Sequence, residues 1–312
     1  MKNYPSNTPI CIKTRSVKSM LIQRVHRIFE GLETPAEFIA LCIDKSNLIR
    51  KIFGHKNLRK KLHATRMLKK FRSMGFIKND HYDFKGIKIP FVSIEILGEF
   101  LNQSFDDDYY FYLFKNDEYN ENEIDKYYYL MLEGPYFLKN DLVNVTINPG
   151  DVVIDVGSWI GDFAAYCAVK NAVTYAFEPS SELFKILEQT AELNNNKIIP
   201  VKKALGNITN PKAKITGVFH TSKNENEFQI TTLDEFVKEN NIKRVDFIKA
   251  DIEGQERNLL NGARETLKNF APKLAICTYH LPDDPKILPE IIKTANPNYK
   301  IVQKRMKLYA SV

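Results

Sequence analysis

The sequence predicts an α/β fold of the doubly wound, Rossmann-like kind, preceded by a basic helical region. Three observations predict it. From about residue 142, strand-like and helix-like stretches alternate to the end of the chain. The first of them, "DVVIDVG" at 151–157, is an apolar run of the sort carried by a parallel strand covered on both faces. That run exits through "GSWIG", a turn with glycines at 157 and 161, and sheets of this class bind ligands at such strand exits.

The elements follow in order. A helix is expected at 161–170 and a second strand in "AVTYAFEP", 172–179. Ser180 or Ser181 caps the next helix, which puts Leu183, Ile186, Leu187 and Ala191 on one face. "IIPVKKAL" (198–205) reads as a third strand and "AKITGVFH" (213–220) as a short extra one. Thr232 and Glu235 form a capping box. "VDFIKADIEG" (245–254) is the fourth strand, with a helix at 256–269. "KLAICTYH" (273–280) is the fifth, with a helix near 285–294, and "YKIVQKRMKLYA" closes as two more strands.

Three regions divide the chain: a basic helical N-terminal module (1–90), a Tyr-rich acidic connecting or lid region (91–141), and the α/β domain (142–312). Within the first, 16–30, 35–53 and 56–74 carry helical periodicity, and 81–100 turns strand-like. Residues 1–80 hold 18 Lys and Arg against 5 Asp and Glu, whereas the remainder holds 27 against 33. Such asymmetry speaks of partners rather than of fold. With 44% hydrophobic and 27% charged residues and no long apolar span, the composition is that of a soluble globular chain. The start has no apolar signal core, and four scattered cysteines form no Cys-x-x-Cys pair. A cytoplasmic protein with reduced thiols is expected, peripheral to the inner membrane or docked on a glycosyltransferase complex if residues 13–78 serve that role.

Candidate site residues gather at the strand exits. Gly157 permits the turn, and Gly161 lets the next helix approach and expose its first amides. Glu178 ends the second strand about 20 residues on, where an acid accepts ribose hydroxyls. The spacing is Asp155-Val-Gly157 and then Gly161, without the G-x-G-x-x-G of a pyrophosphate cradle. A cofactor lacking pyrophosphate, S-adenosylmethionine, suits it better than NAD. The fourth strand delivers Asp251, Glu253 and Glu256 to the same edge, with Lys249 one alternation earlier, and the fifth delivers His280.

Taken together, "GDVVIDVGSWIGDFAAYCA", "YAFEPSSELFKILEQTAELNN", "TTLDEF", "VDFIKADIEGQERNLLNGA" and "PKLAICTYHLPDD" resemble the FkbM family of class I S-adenosylmethionine-dependent methyltransferases. "EGPY" (133–136) and "KLYA" are also family-like, and the resemblance covers roughly 130–310. It implies a seven-stranded sheet with an antiparallel strand near one edge. It implies that Asp155, Gly157, Ser158, Trp159 and Gly161 surround the methionine part of S-adenosylmethionine. Glu178 and Pro179 would lie at its ribose, and Ala204 and Leu205 would flank its adenine. Asp251, Glu253 and His280 would face the acceptor, a hydroxyl of a sugar or other small molecule. Trp159 and Ile160 depart from the small residues expected in this turn.

Methyl transfer from a sulfonium needs an aligned acceptor oxygen and, for a sugar hydroxyl, a base. His280 is the first candidate for that base, with Asp251 as the second or as its orienter. Asp251 and Glu253, two apart with no assured third ligand, are too little to define a metal site, and none is expected. RNA methylation through the basic helices is the alternative activity. The chain has "DIEG" where an adenine-N6 methylase carries N-P-P-Y, so nucleic acid is disfavoured. A scaffold that binds the cofactor without turnover would have no use for Asp251, Glu253 and His280. Tyr109–Tyr112 and Tyr127–Tyr129 would stack a sugar or pack between domains, and the oligomeric state is open.

Overall fold

The computed structural model describes residues 75–84, 86–92, 136–213, 228–304 and 306–312, together with Arg72 and Ile96. The chain divides into two units, Met1–Leu62 and His63–Val312, and every described residue lies in the second. The two or three basic helices expected before residue 75 (all but Arg72), the tyrosine clusters, Cys11, Cys42 and nearly all of the expected strand at 213–220 lie outside the described residues.

Seven strands form the central sheet. They are β5 (Val152–Val156), β6 (Val173–Phe177), β7 (Ile198–Val201), β11 (Phe247–Ala250), β12 (Lys273–Cys277), β13 (Lys300–Lys304) and β14 (Lys307–Ser311). Their spatial order is β13-β14-β12-β11-β5-β6-β7. β5 is parallel to both β6 and β11, so the winding reverses between β5 and β11. β14 is antiparallel to both neighbours, as the family resemblance implies. This is the doubly wound seven-stranded sheet of the class I methyltransferases.

Alternation along the strands sends side chains into two cores. On β5, Val153 joins a core with Phe163, Tyr166, Phe247 and Tyr309, while Ile154 and Val156 join another with Phe236, Ile248 and Leu308. Covering helices are α1 (Asp162–Val169), α2 (Ser181–Leu193), α3 (Leu233–Glu239), α4 (Glu256–Asn261), α5 (Arg264–Asn269) and α6 (Asp284–Ala295). Ser180 caps α2 by accepting from the Leu183 amide, and Thr232 caps α3 by accepting from the Glu235 amide. Cys167 and Cys277 are buried and form no disulfide, in keeping with their apolar neighbours.

Four small strands complete the first core and the surface. β1 (His81–Phe84) and β2 (Ile87–Pro90) form a hairpin, and β3 (Leu138–Lys139) pairs with β4 (Asn144–Val145). The hairpin's Phe84, Ile87 and Ile89 enter the same core as Phe163. The Asn194 amide donates to Lys88 O at 2.7 Å and ties the hairpin to the end of α2. Residues 81–90, placed by sequence at the end of the N-terminal module, thus pack as part of the α/β body.

Two expected elements are broken. The strand expected over 198–205 ends at Val201, and Ala204–Leu205 forms β8 in a separate three-stranded sheet with β9 (Asn210–Ala213) and β10 (Phe228–Thr231). The helix expected over 256–269 splits at Gly262. A β-carbon there would stand 2.0 Å from Gly206 O, so the backbones meet too closely for an unbroken helix with side chains. Asp234 then caps the second piece, accepting from the amides of Glu265 and Thr266 and from the Thr266 hydroxyl.

Candidate active site

The site forms where the winding reverses, at the C-terminal ends of β5, β11 and β12. The turn after β5 alternates in and out of left-handed backbone, with φ of 75° at Gly157, 50° at Trp159 and 84° at Gly161. Gly157 has a second reason to lack a side chain. A β-carbon there would lie 2.0 Å from Asp251 O, so the β5 turn abuts the main chain leaving β11. At Gly161 a β-carbon would lie 2.7 Å from Leu187 Cδ1, which is how α2 comes to pack against the start of α1.

Glu178 folds under this turn. Its Oε2 accepts from the Trp159 amide at 3.1 Å and its Oε1 from the Ser180 amide at 2.9 Å. Burial pushes its carboxyl up to about 7, against the opposing pull of those two amides and of Lys249. Ser158 is buried and donates to Asp155 O, Pro179 is half-buried, and Trp159 packs on the first core. Leu205 packs with Val156, Phe177 and Ala250 in the second core, which leaves Ala204 as the more open of that pair.

Asp155 and Lys249 are register partners on β5 and β11, so they stand side by side on one face. Lys249 Nζ lies 3.1 Å from Asp155 Oδ1 and donates to Gly157 O at 2.7 Å. Both are almost wholly buried, at 4% and 0% exposure. Asp155 therefore supports the turn through Lys249 from beneath. Asp162 at the start of α1 shares this pocket, and burial raises its carboxyl to about 6.

The residues expected to face an acceptor do come together. Asp251 Oδ2 accepts the Tyr136 hydroxyl at 2.8 Å, and Oδ1 accepts the Tyr279 hydroxyl at 2.9 Å. The Tyr136 ring is approached by two ammoniums, Lys249 at 5.2 Å and Lys307 at 4.7 Å from its centroid. Burial alone would raise the Asp251 carboxyl. Lys249, Lys307, the Tyr136 hydroxyl and His280 outweigh it and hold it below its ordinary value. His280 Nε2 lies 3.4 Å from Asp251 Oδ1 and 3.7 Å from Glu253 Oε2, while Nδ1 lies 2.9 Å from Glu256 Oε1. Burial lowers the imidazole's proton affinity, but the three carboxylates override it and raise it above the ordinary histidine value. Glu253 is the most exposed of the group. Asp251, Glu256 and His280 each place one ligand-capable atom within 4.8 Å of the others.

Sequence reasoning did not single out Tyr136, Tyr279 or Lys307 as site residues. Lys307 reaches the cluster because it pairs with Cys277 across β14 and β12, a register no local pattern reveals. Tyr279 was in plain view, next to His280 in "CTYH".

Comparisons with known proteins show what the chain is similar to. Residues 148–299 match the Methyltransferase FkbM domain. Over these residues the chain is similar to the FkbM family of methyltransferases. The match begins just before β5 and runs through α6, so it contains every candidate residue except Tyr136 and Lys307. The hexuronic acid methyltransferase AglP of Haloferax volcanii is 29% identical over 160 residues, which are 49% of this chain and 66% of that protein. The chain thus spans a little under two thirds of that relative. Among solved structures, a methyltransferase FkbM from Methylobacillus flagellatus KT aligns with a TM-score of 0.47 and 22% identity, over 59% of this chain and 50% of its own. Fibrillarin of Aeropyrum pernix, solved with natively bound S-adenosyl-L-methionine, aligns at 0.36 and 14%, over 55% and 70%. Among the described residues no helix is long and apolar enough to cross a membrane.

Proposed function

We propose that this FkbM methyltransferase moves a methyl group from S-adenosylmethionine to a hydroxyl of a sugar, in a surface glycan or its precursor. One observation carries the reading: the Gly157 turn abuts Asp251, so a cofactor-type turn and an acid–histidine cluster adjoin at the reversal point of the sheet.

The residues present fit the cofactor. Gly157 lets the turn run against the main chain at Asp251, which brings the turn and the acid–histidine cluster to one edge. Glu178 has both oxygens fixed by amides and keeps further lone pairs for ribose hydroxyls. When bound, S-adenosylmethionine supplies an activated, electrophilic methyl on a sulfonium. The chain's own task is to place and deprotonate the acceptor. Asp251, held ionised by two ammoniums and two phenols, is a weak base and a good anchor for an acceptor hydroxyl. His280, with raised proton affinity, is the better base. It takes the acceptor proton and passes it to solvent by way of exposed Glu253. The sugar as acceptor class draws on the hexuronic acid named for the archaeal relative.

Two results check this reading. Incubation of the full chain with methyl-tritiated S-adenosylmethionine and a panel of neutral sugars and uronic acids should label a sugar oxygen; label in RNA alone would contradict it. S-adenosylhomocysteine affinity should weaken about tenfold from pH 8 to pH 6, because the ionised Glu178 that accepts ribose hydroxyls is lost as pH falls through about 7. Calorimetric titration across pH reads this directly, and Glu178→Ala should flatten the profile.

A further inference from the structure

We propose that Glu256 is a positioning residue, forming with His280 a carboxylate–imidazole dyad that fixes the ring's tautomer and turns Nε2 toward the acceptor. The proposal rests on the reading of His280 as the base.

Glu256 opens α4 and is wholly buried, at 0% exposure. Its Oε1 accepts the Ile252 amide at 2.9 Å, and its Oε2 has no hydrogen-bond partner. A buried carboxylate is costly unless it meets a donor or a cation. His280 Nδ1, 2.9 Å away, is that group. Among the described residues Nδ1 makes no other hydrogen bond. Hydrogen bonds of this kind often tighten only when substrate binds.

The backbone has been bent to make this contact. Glu253 and Gly254 both adopt left-handed conformations, with φ of 53° and 92°. A non-glycine residue there costs on the order of 1 kcal/mol or more. The bend folds the chain back after Asp251, so that Glu256 returns beneath its loop. A β-carbon on Gly254 would sit 3.8 Å from His280 Cβ, so the bend itself lies against the histidine.

The other groups facing the ring are accounted for. Asp251 and Glu253 stand on the Nε2 side, at 3.4 and 3.7 Å. The Tyr279 ring lies 4.2 Å from the imidazole, with its hydroxyl committed to Asp251. Lys249 and Lys307 act on Asp251, whose carboxyl they hold down. On α6, Asp284 is engaged by Arg257 and by the Leu281 amide. With Nδ1 held by Glu256, the proton-accepting Nε2 faces Asp251 and Glu253. A carboxylate on Nδ1 also makes Nε2 more basic, the role a buried acid plays beside a catalytic histidine in other enzyme classes.

The test is an NMR titration of the imidazoles in the full chain, which has 6 histidines, with His280→Ala to assign the signal. In the unaltered protein His280 should titrate above about 6.5 with its proton on Nδ1 when neutral. Glu256→Gln should lower that midpoint by about one unit, a tenfold loss of proton affinity, and Glu256→Asp should restore part of it. S-adenosylhomocysteine affinity should stay within about twofold. A lower melting temperature with an unmoved midpoint and tautomer would make Glu256 a cap for the Ile252 turn and overturn the dyad. So would saturable broadening of the His280 signal by micromolar Mn2+ that Glu256→Gln abolishes, because the cluster would then be a cation site. Failure of the methyl-transfer reading would show separately, as absent S-adenosylhomocysteine binding by the unaltered chain.

Discussion

Lys249→Met is expected to destabilise the protein by about 3–5 kcal/mol in chemical unfolding, although methionine fits the space of the lysine stem. The reason lies in what is left behind. Asp155 is fully buried, and Lys249 Nζ at 3.1 Å is its counter-charge. Removal of the ammonium leaves an uncompensated carboxylate in the core and also frees the carbonyl of Gly157. A buried ion pair is weak evidence of net stabilisation, but a broken one is strongly destabilising. Asp155→Leu combined with Lys249→Met should therefore be more stable than Lys249→Met alone. If the single variant unfolds within about 1 kcal/mol of the unaltered chain, the pair does not support the turn as described. The variant should also weaken S-adenosylhomocysteine binding, since the turn it loosens carries Gly157 and the Trp159 amide that holds Glu178.

His280→Ala is expected to lower turnover by a factor of about 10² to 10⁴, the usual worth of a positioned base. Cofactor affinity should stay nearly intact, because His280 belongs to the acceptor side of the Gly157–Asp251 contact. A large loss of S-adenosylhomocysteine binding would count against its role. The pH dependence has a definite sign. Only the neutral imidazole accepts a proton, and its proton affinity is raised by Glu256, Asp251 and Glu253. Turnover should thus rise with pH through a midpoint above the ordinary histidine value of about 6.5, falling tenfold per unit on the acid side. A flat profile from pH 5.5 to 8 would exclude His280 as the base.

Much of the fold is legible in the sequence. "VVIDVG" reads as a buried strand because apolar, mostly β-branched residues bracket one acid, and that acid proved to face a lysine one strand away. That Gly157, Glu178, Asp251 and His280 gather at one edge was legible because each stands at or just past a strand exit in a wound sheet. The misread elements share a cause, which is contact between residues far apart in the chain. Nothing local marks Gly262 as a break, because its reason is the carbonyl of Gly206. "IIPVKKAL" looks like one strand, yet Ala204 and Leu205 leave the main sheet to pair with β10. The polar belt was hidden for the same reason. Lys307 and Tyr136 reach Asp251 through sheet register and tertiary packing, and Glu256 reaches His280 through a left-handed bend at a glutamate, which no propensity predicts.

The central claim is that the Gly157 turn and Glu178 bind S-adenosylmethionine. It is tested most directly by calorimetric titration of the full chain and of Glu178→Ala with S-adenosylhomocysteine, with NADH as the control ligand. The expected result is binding at the micromolar level by the unaltered chain and at least tenfold weaker binding by Glu178→Ala, about 1.4 kcal/mol, with no heat from NADH. Binding of NADH in preference, or equal S-adenosylhomocysteine affinity in the two proteins, would contradict it.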